Sequence, residues 1–277
     1  MIFTINAVTL IAFARHHHLR KRTLTYLIIN LHVADLLVGA VTEPMDLYYP
    51  QYDPVFSWQH FTVVILYNIF PISSLTNLSL IALERLHATL RPFRHCLIDK
   101  WVYFEIAICC WPLALFLSSM MAVFYLSKPE ANLNVYVWAS AIVLALLILT
   151  ISYVIIIVKV KRNSPQHFGS VAADRKLSVT LFIVTVVSIL IILPYSVYAV
   201  LIPVGLWYHL SRTARFHITY VCFVLYYASS LVNPLIYAIR TKEFRNALKK
   251  LIWKKSPGTS NVQQIELHAM ESVRIRR

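Results

Sequence analysis

Three features of the chain have residue types and spacing that could do chemistry in apolar surroundings. Asp35 stands by itself within the apolar segment Leu24–Leu47. An ionised carboxylate held away from water is costly unless something compensates it, so a functional group is the default reading and a structural hydrogen-bonding residue the alternative. Glu84 and Arg85 follow directly on the apolar segment Phe61–Leu83, an adjacent acid and base at its end. Near the C-terminus, Tyr220–Ile239 is interrupted by Asn233-Pro234-Leu235-Ile236-Tyr237. A proline inside a hydrophobic helix removes one backbone hydrogen bond and bends the axis, and the neighbouring Asn can bond the freed carbonyls or a polar partner within a bundle. That bend is a candidate moving part. Histidines 16 to 18 carry metal-ligand chemistry, but consecutive residues on a short loop point in different directions, and a solvated loop is the better reading.

The elements that must position these groups are membrane helices. The chain is 58% hydrophobic and only 14% charged, with a mean hydropathy of +0.64, far more apolar than a soluble domain. Apolar segments fall at Met1–Ala14, Leu24–Leu47, Phe61–Leu83, Val102–Leu126, Val135–Val158, Leu177–Leu206 and Phe216–Ile239. At about 1.5 Å per residue, all but the first can cross roughly 30 Å of hydrocarbon. Met1–Ala14 reaches only about 21 Å and is read as the inner half of a first span whose outer half is missing. The net charge of +14 does not indicate nucleic acid, because the basic residues lie between the apolar segments. Arg15, Arg20, Lys21, Arg22, Arg91, Arg94, Lys100, Lys159, Lys161, Arg162, Arg175, Lys176 and the basic tail fall on one side, against Lys128, Arg212 and Arg215 on the other. The positive-inside rule makes the first set cytoplasmic, with the N-terminus outside and the C-terminus inside.

After the last span, Lys242–Trp253 repeats Phe244, Leu248, Leu251 and Ile252 at helical spacing with Lys242, Arg245, Lys249 and Lys250 on the remaining faces. This predicts a short amphipathic helix in the membrane interface. Residues 1–253 are thus read as one membrane domain, and 254–277 as a polar, disordered cytoplasmic tail.

Asn-Pro-x-x-Tyr followed by a short basic helix resembles the end of the rhodopsin-like (class A) G-protein-coupled receptors, and the resemblance can be followed along nearly the whole chain. Asn6 lies where the family has its first-span Asn. Leu31-His32-Val33-Ala34-Asp35 is similar to the second-span Leu-x-x-x-Asp, and the run from Ser73 into Glu84-Arg85-Leu86 to the third-span Asp/Glu-Arg-Tyr, with Leu86 in place of Tyr. Trp111, Tyr153 and Pro194 match the fourth-, fifth- and sixth-span signatures. There are departures. Ile192 stands where many members have a sixth-span Trp, Ala145 where the fifth span usually has Pro, and Ser188 where Phe is common. Cys96, Cys109, Cys110 and Cys222 all lie away from the outer loops, so the family's extracellular disulfide cannot form, and the buried cysteines read as small apolar fillers. With its short second outer loop, the chain is similar to the melanocortin, lysophospholipid and cannabinoid branch.

The resemblance implies an all-α bundle of seven transmembrane helices in the plasma membrane, a receptor and not an enzyme, with an unknown extracellular ligand outside and a heterotrimeric G protein and arrestin inside. A ligand pocket is expected from Tyr67, Asn68, Tyr195, Tyr198, Phe223, Tyr226 and Tyr227, with Glu43 and Asp46 adding negative charge at the outer end of the second span. Aromatic walls with polar tips suit a partly apolar ligand. Tyr67 replaces the Asp of aminergic members, and no seventh-span Lys is present to tether retinal. On the inner face the resemblance implies a switch of Glu84, Arg85, Tyr153, Asp174, Asn233, Pro234 and Tyr237, with Arg85 bridged to Asp174 at rest. No obligatory cofactor is expected. An allosteric sodium ion is, held by Asp35, Ser74, Ser229 and Asn233. The alternatives are a seven-helix transporter or pump and a non-signalling receptor-like membrane protein.

Overall fold

The computed structural model describes residues 1–16, 24–48, 58–127, 133–162, 169–201, 205, 209–240 and 242–252; certain side chains, among them those of Asp46, Cys96, Asp174 and Tyr237, lie outside this description. The described residues are almost entirely helical. In chain order they form α1 (Ile2–Arg15), α2 (Thr25–Leu37), α3 (Glu43–Tyr48), α4 (Trp58–Leu90), α5 (Pro92–Cys96), α6 (Lys100–Ser127), α7 (Leu133–Arg162), α8 (Gly169–Leu201), α9 (Arg212–Arg240) and α10 (Lys242–Ile252). Among the described residues, five helices are long and apolar enough to cross a bilayer: Thr25–Met45, Trp58–Leu90, Lys100–Ser127, Leu133–Lys159 and Arg212–Ile236. Ile2–Arg15 and Val186–Leu201 are shorter apolar helices among the described residues.

Each helix sorts its residues between protein and lipid with helical period. On α7, Ala145, Leu149, Tyr153 and Ile156 are buried while Val143, Leu144, Leu147, Ile151 and Val154 are exposed. An exposed apolar stripe of that size would be an association patch on a soluble protein, and on a bilayer-length helix it is a lipid-facing surface. The long helix α4 runs through the centre, packed against α2, α6, α7 and α8, while α1 closes against α2 and α9. Gly39 lets α1 approach closely, since a Cβ there would lie 2.7 Å from the Phe3 backbone nitrogen.

The helices differ from the apolar segments in informative ways. The second span is not one regular helix: a π-helical turn, Val38–Thr42, joins α2 to α3. Pro44 has no N–H to offer the Ala40 carbonyl, and the widened turn lies immediately before it. Pro71, Pro112, Pro194 and Pro234 all sit inside helices that run on through them, so the Asn233-Pro234 junction does not end α9. α8 is described as far as Leu201, and Gly205, two residues after Pro203, is a bend with a positive φ of 81° and not helical. A short helix, α5, was not apparent in the second inner loop; Pro92 is its first residue, where a missing N–H costs nothing.

α10 begins at Lys242 as expected, but its apolar face does not all lie on lipid. Phe244 and Ala247 are buried, and the Phe244 ring packs 5.5 Å from that of Phe13 on α1. The helix is docked on the bundle. Cys109 is also corrected: it is exposed on α6, not a buried filler, whereas Cys110 and Cys222 are buried, and all three are free thiols.

Candidate functional site

The expected site residues fall into three levels along α4 and α9. At the centre is Asp35, fully buried on α2. The Ser74 hydroxyl of α4 donates to its Oδ1 at 2.7 Å, and the Asn233 amide of α9 donates to its Oδ2 at 2.7 Å. Asn233 also accepts from Ser188 of α8 through its own Oδ1, at 3.4 Å. Thus the residue before Pro234 does find a polar partner inside the bundle; three helices meet at one carboxylate, and α8 joins them through Asn233. Ser229 does not reach Asp35; its hydroxyl donates to the Tyr226 carbonyl at 2.7 Å. The neighbouring Ser230, absent from the sequence expectation, is a hydrogen-bonding neighbour of Asp35, and its carbonyl accepts from Asn6 of α1. His32 joins the same region through a 2.9 Å bond to Asn6.

Behind Ser74 and Asn233, the partners of Asp35, is a cavity that Asp35 itself does not line; its walls are the polar Ser74, Ser188, Ser229, Ser230 and Asn233 together with apolar and aromatic residues that include Ile142, Ile192, Trp138 and Tyr226. It has room of about 30 Å³ for the centres of water-sized particles, enough for a water or a small ion. Ile192, at the position where the family often carries Trp, leaves part of this wall aliphatic.

The outer level is aromatic. Tyr195 and Tyr198 of α8 and Phe223, Tyr226 and Tyr227 of α9 come together as expected, but against one another. Ring centroids lie 4.3 Å apart for Tyr195–Tyr226, 5.4 Å for Tyr195–Phe223 and 5.2 Å for Tyr226–Tyr227. Trp138 of α7 completes the cluster, 6.2 Å from Tyr226 and 6.5 Å from Tyr195 in edge-on contacts. Sequence reasoning passed over Trp138 because an indole in an apolar span carries no signal of its direction. It is 7% exposed, and its Nε1–H has no hydrogen-bond partner among the described residues. Tyr67 and Asn68 do not border the cavity; the Asn68 amide donates to the Val64 carbonyl of its own helix at 2.8 Å. Glu43 is half-buried at the start of α3, and the Asp46 side chain lies outside the described residues.

The inner level is built on the end of α4. Glu84 and Arg85 are both buried, and the guanidinium meets the carboxylate through two bonds, Nε to Oε2 and Nη2 to Oε1. This fork suits Arg better than Lys because two parallel donors match two oxygens. His95 of α5 adds a third bond, its Nε2 lying 2.8 Å from Glu84 Oε1. Tyr153 is buried against Ala82, Leu149 and Ile156, with Leu86 alongside. The expected Arg85–Asp174 bridge and the inward turn of Tyr237 both involve side chains outside the described residues. Linking inner level to centre, Asn30 of α2 donates to Asn77 and to the Ala107 carbonyl, both at 2.9 Å, and accepts from Trp111 Nε1 at 3.0 Å.

The comparisons agree with this arrangement. The sequence matches the family described as the 7 transmembrane receptor (rhodopsin family) over residues 5–237. It is similar to the allatostatin-A receptor of Bombyx mori, 25% identical over 291 residues, an alignment covering 91% of this chain and 76% of that receptor. A multi-pass helical bundle with a buried acid at its centre and an Arg–carboxylate pair at one end is therefore what its family match says it is: the chain belongs to the rhodopsin family of seven-transmembrane receptors.

Proposed function

We propose that the chain is a plasma-membrane receptor that converts extracellular ligand binding into activation of a heterotrimeric G protein, with arrestin as a further inner-face partner. The observation that carries this reading is the continuity of the three levels: α4 bears both Ser74, which holds Asp35, and the Glu84–Arg85 pair, while α9 bears both Asn233 and the aromatic cluster. A ligand that parts the rings moves helices whose other ends hold the polar groups, and it shifts a two-state equilibrium by its differential affinity for the two arrangements. The basic connections support an outer N-terminus and a cytoplasmic tail.

At rest, Arg85 is restrained by Glu84 and, in this reading, by Asp174. When α8 swings outward, Arg85 is released, and Tyr153 and Tyr237 turn inward to hold the opened face for the G protein. The Asp35 region fits a sodium ion. The hydroxyl-bearing residues Ser74, Ser229 and Ser230 line the cavity, and the fully buried Asp35 carboxylate lies behind Ser74, outside that lining; oxygen ligands suit a hard cation. Asn233 presents its amide nitrogen to Asp35, so it orients the carboxylate and is not an oxygen donor to an ion in this arrangement. A bound cation would supply compensating charge and favour the resting state.

Trp138, Tyr195, Tyr198, Phe223, Tyr226 and Tyr227 favour a ligand with aromatic or aliphatic groups. The relative's name makes allatostatin A the first ligand to try. The test is binding of a GTP analogue to purified heterotrimers of several classes in membranes carrying the chain, with and without allatostatin A. Exchange above that of empty membranes supports the reading. No exchange with any class, at verified surface expression, overturns it.

A further inference from the structure

We propose that Arg215, near the start of α9, receives a carboxylate of the ligand, so that the ligand class is an acid with an aromatic or aliphatic body. This ligand class rests on the reading of the chain as a receptor whose α9 begins at the outer face. Its basis is a donor with nothing to donate to. Arg215 is half-buried, its Nε is shielded from water, and that Nε has no hydrogen-bond partner among the described residues. A shielded donor left unbonded costs its desolvation, and more so when it belongs to a charged group. Nε is also one of the two donors on the guanidinium edge that grips a carboxylate side-on. Arg85 shows that grip filled, with Nε and Nη2 on the two oxygens of Glu84. At Arg215 it is open.

Helical spacing puts this open fork on the inward stripe of α9. Steps of four and three residues lead from Arg215 through Thr219 to Cys222, Tyr226, Ser230 and Asn233, the last four buried, whereas Phe216, Tyr220, Val221 and Val224 are exposed. Arg215 thus stands two turns beyond Cys222, which packs with Tyr198, and roughly 16 Å along the helix from Tyr226. A ligand whose apolar body reaches the aromatic cluster from the outer face passes this arginine. The first turn of α9 carries no acidic residue, and Arg212 there is exposed, so nothing in that turn competes for the fork.

The probes are hydrocinnamate and its uncharged amide, which share a ring and a chain and differ in the acid. Both are titrated against the purified full chain in phosphatidylcholine nanodiscs at constant ionic strength, with binding read by saturation-transfer NMR. A charge-assisted fork is strong enough to make the acid bind about tenfold or more tighter than the amide in the wild type. Arg215→Gln is expected to remove that preference while leaving binding of the amide unchanged. Arg215→Lys should keep a smaller part of it, because an ammonium supplies charge without the fork, and Arg212→Gln should keep it whole. Absence of binding or of preference in the wild type, or a preference that survives Arg215→Gln, overturns the proposal. So does an equal fall in Arg212→Gln, which would show a diffuse positive field in place of a site. The coupling reading fails separately: a preference that depends on Arg215 in a chain that drives nucleotide exchange with no heterotrimer keeps the site and removes the coupling, and exchange without the preference does the reverse.

Discussion

The polar interior and the aromatic outer cluster are held by different physics. Around Asp35 and Glu84, nearly every group has an assigned partner at hydrogen-bond distance, and each bond fixes both a position and a direction. In the outer cluster the same helices meet through rings whose centroids are 4.3 to 6.5 Å apart, contacts worth only about 0.5–1.5 kcal/mol each and tolerant of sliding. The first region resists gradual change, because losing one partner strands a buried polar atom. The second can rearrange gradually around a foreign group. Such a division suits the proposed function, with an adaptable surface for a ligand and an unforgiving one for the switch.

The sharpest way to break that contrast is at the inner end. Arg85→Ala is expected to abolish nucleotide exchange, because it removes a group used in both states, while Asp174→Ala should raise basal exchange roughly five- to a hundredfold by removing a resting restraint alone. Full signalling by Arg85→Ala at matched surface expression would take Arg85 out of the mechanism, and unchanged basal exchange in Asp174→Ala would take out the lock. At the centre, replacing choline chloride with sodium chloride should reduce basal exchange about fivefold or more in the wild type and leave Asp35→Asn unaffected. A wild type insensitive to sodium would leave Asp35 as a structural hydrogen-bonding residue.

A change in the polar interior that touches no switch residue should still be costly. Asn30→Ala removes three bonds, strands Trp111 Nε1, leaves the Asn77 side-chain oxygen only its weak bond from the Cys110 thiol, and is expected to cost about 1–3 kcal/mol in thermal or chemical unfolding of the detergent-solubilised protein. The aromatic cluster should give the smallest effect. Trp138→Phe keeps a ring between Tyr195 and Tyr226 and deletes only an N–H without a partner among the described residues, so stability should change by less than about 1 kcal/mol. A loss as large as that of Asn30→Ala would show that the cluster is as exacting as the interior.

Much of the architecture was legible in the residues themselves. Bilayer-length apolar runs, basic connections and the amphipathic Lys242–Trp253 are local patterns, and a helix satisfies its own backbone, so helices follow from sequence in a membrane almost without reference to neighbours. Asp35 stood out as a polar group whose cost in hydrocarbon demands an explanation, Asn233 through its place before Pro234, and the Glu84–Arg85 pair through the family resemblance. What neighbours decide was not legible. Asn233 meets Asp35 from 198 positions away, and nothing in either residue's own helix says that its amide nitrogen, not its oxygen, will face the carboxylate. Neither His95 nor Trp138 carries a signal of its direction in the sequence; α5 brings the first to Glu84, and α7 sets the second against Tyr195 and Tyr226. The π-helical turn after Leu37 rotates everything beyond it, and Phe244 leaves the lipid for Phe13. Sequence by itself determined which segments enter the membrane and which groups are too polar to be there unpartnered; only the tertiary structure decided which partners they take, because hydropathy depends on a residue and its near neighbours while a hydrogen bond depends on two atoms arriving together.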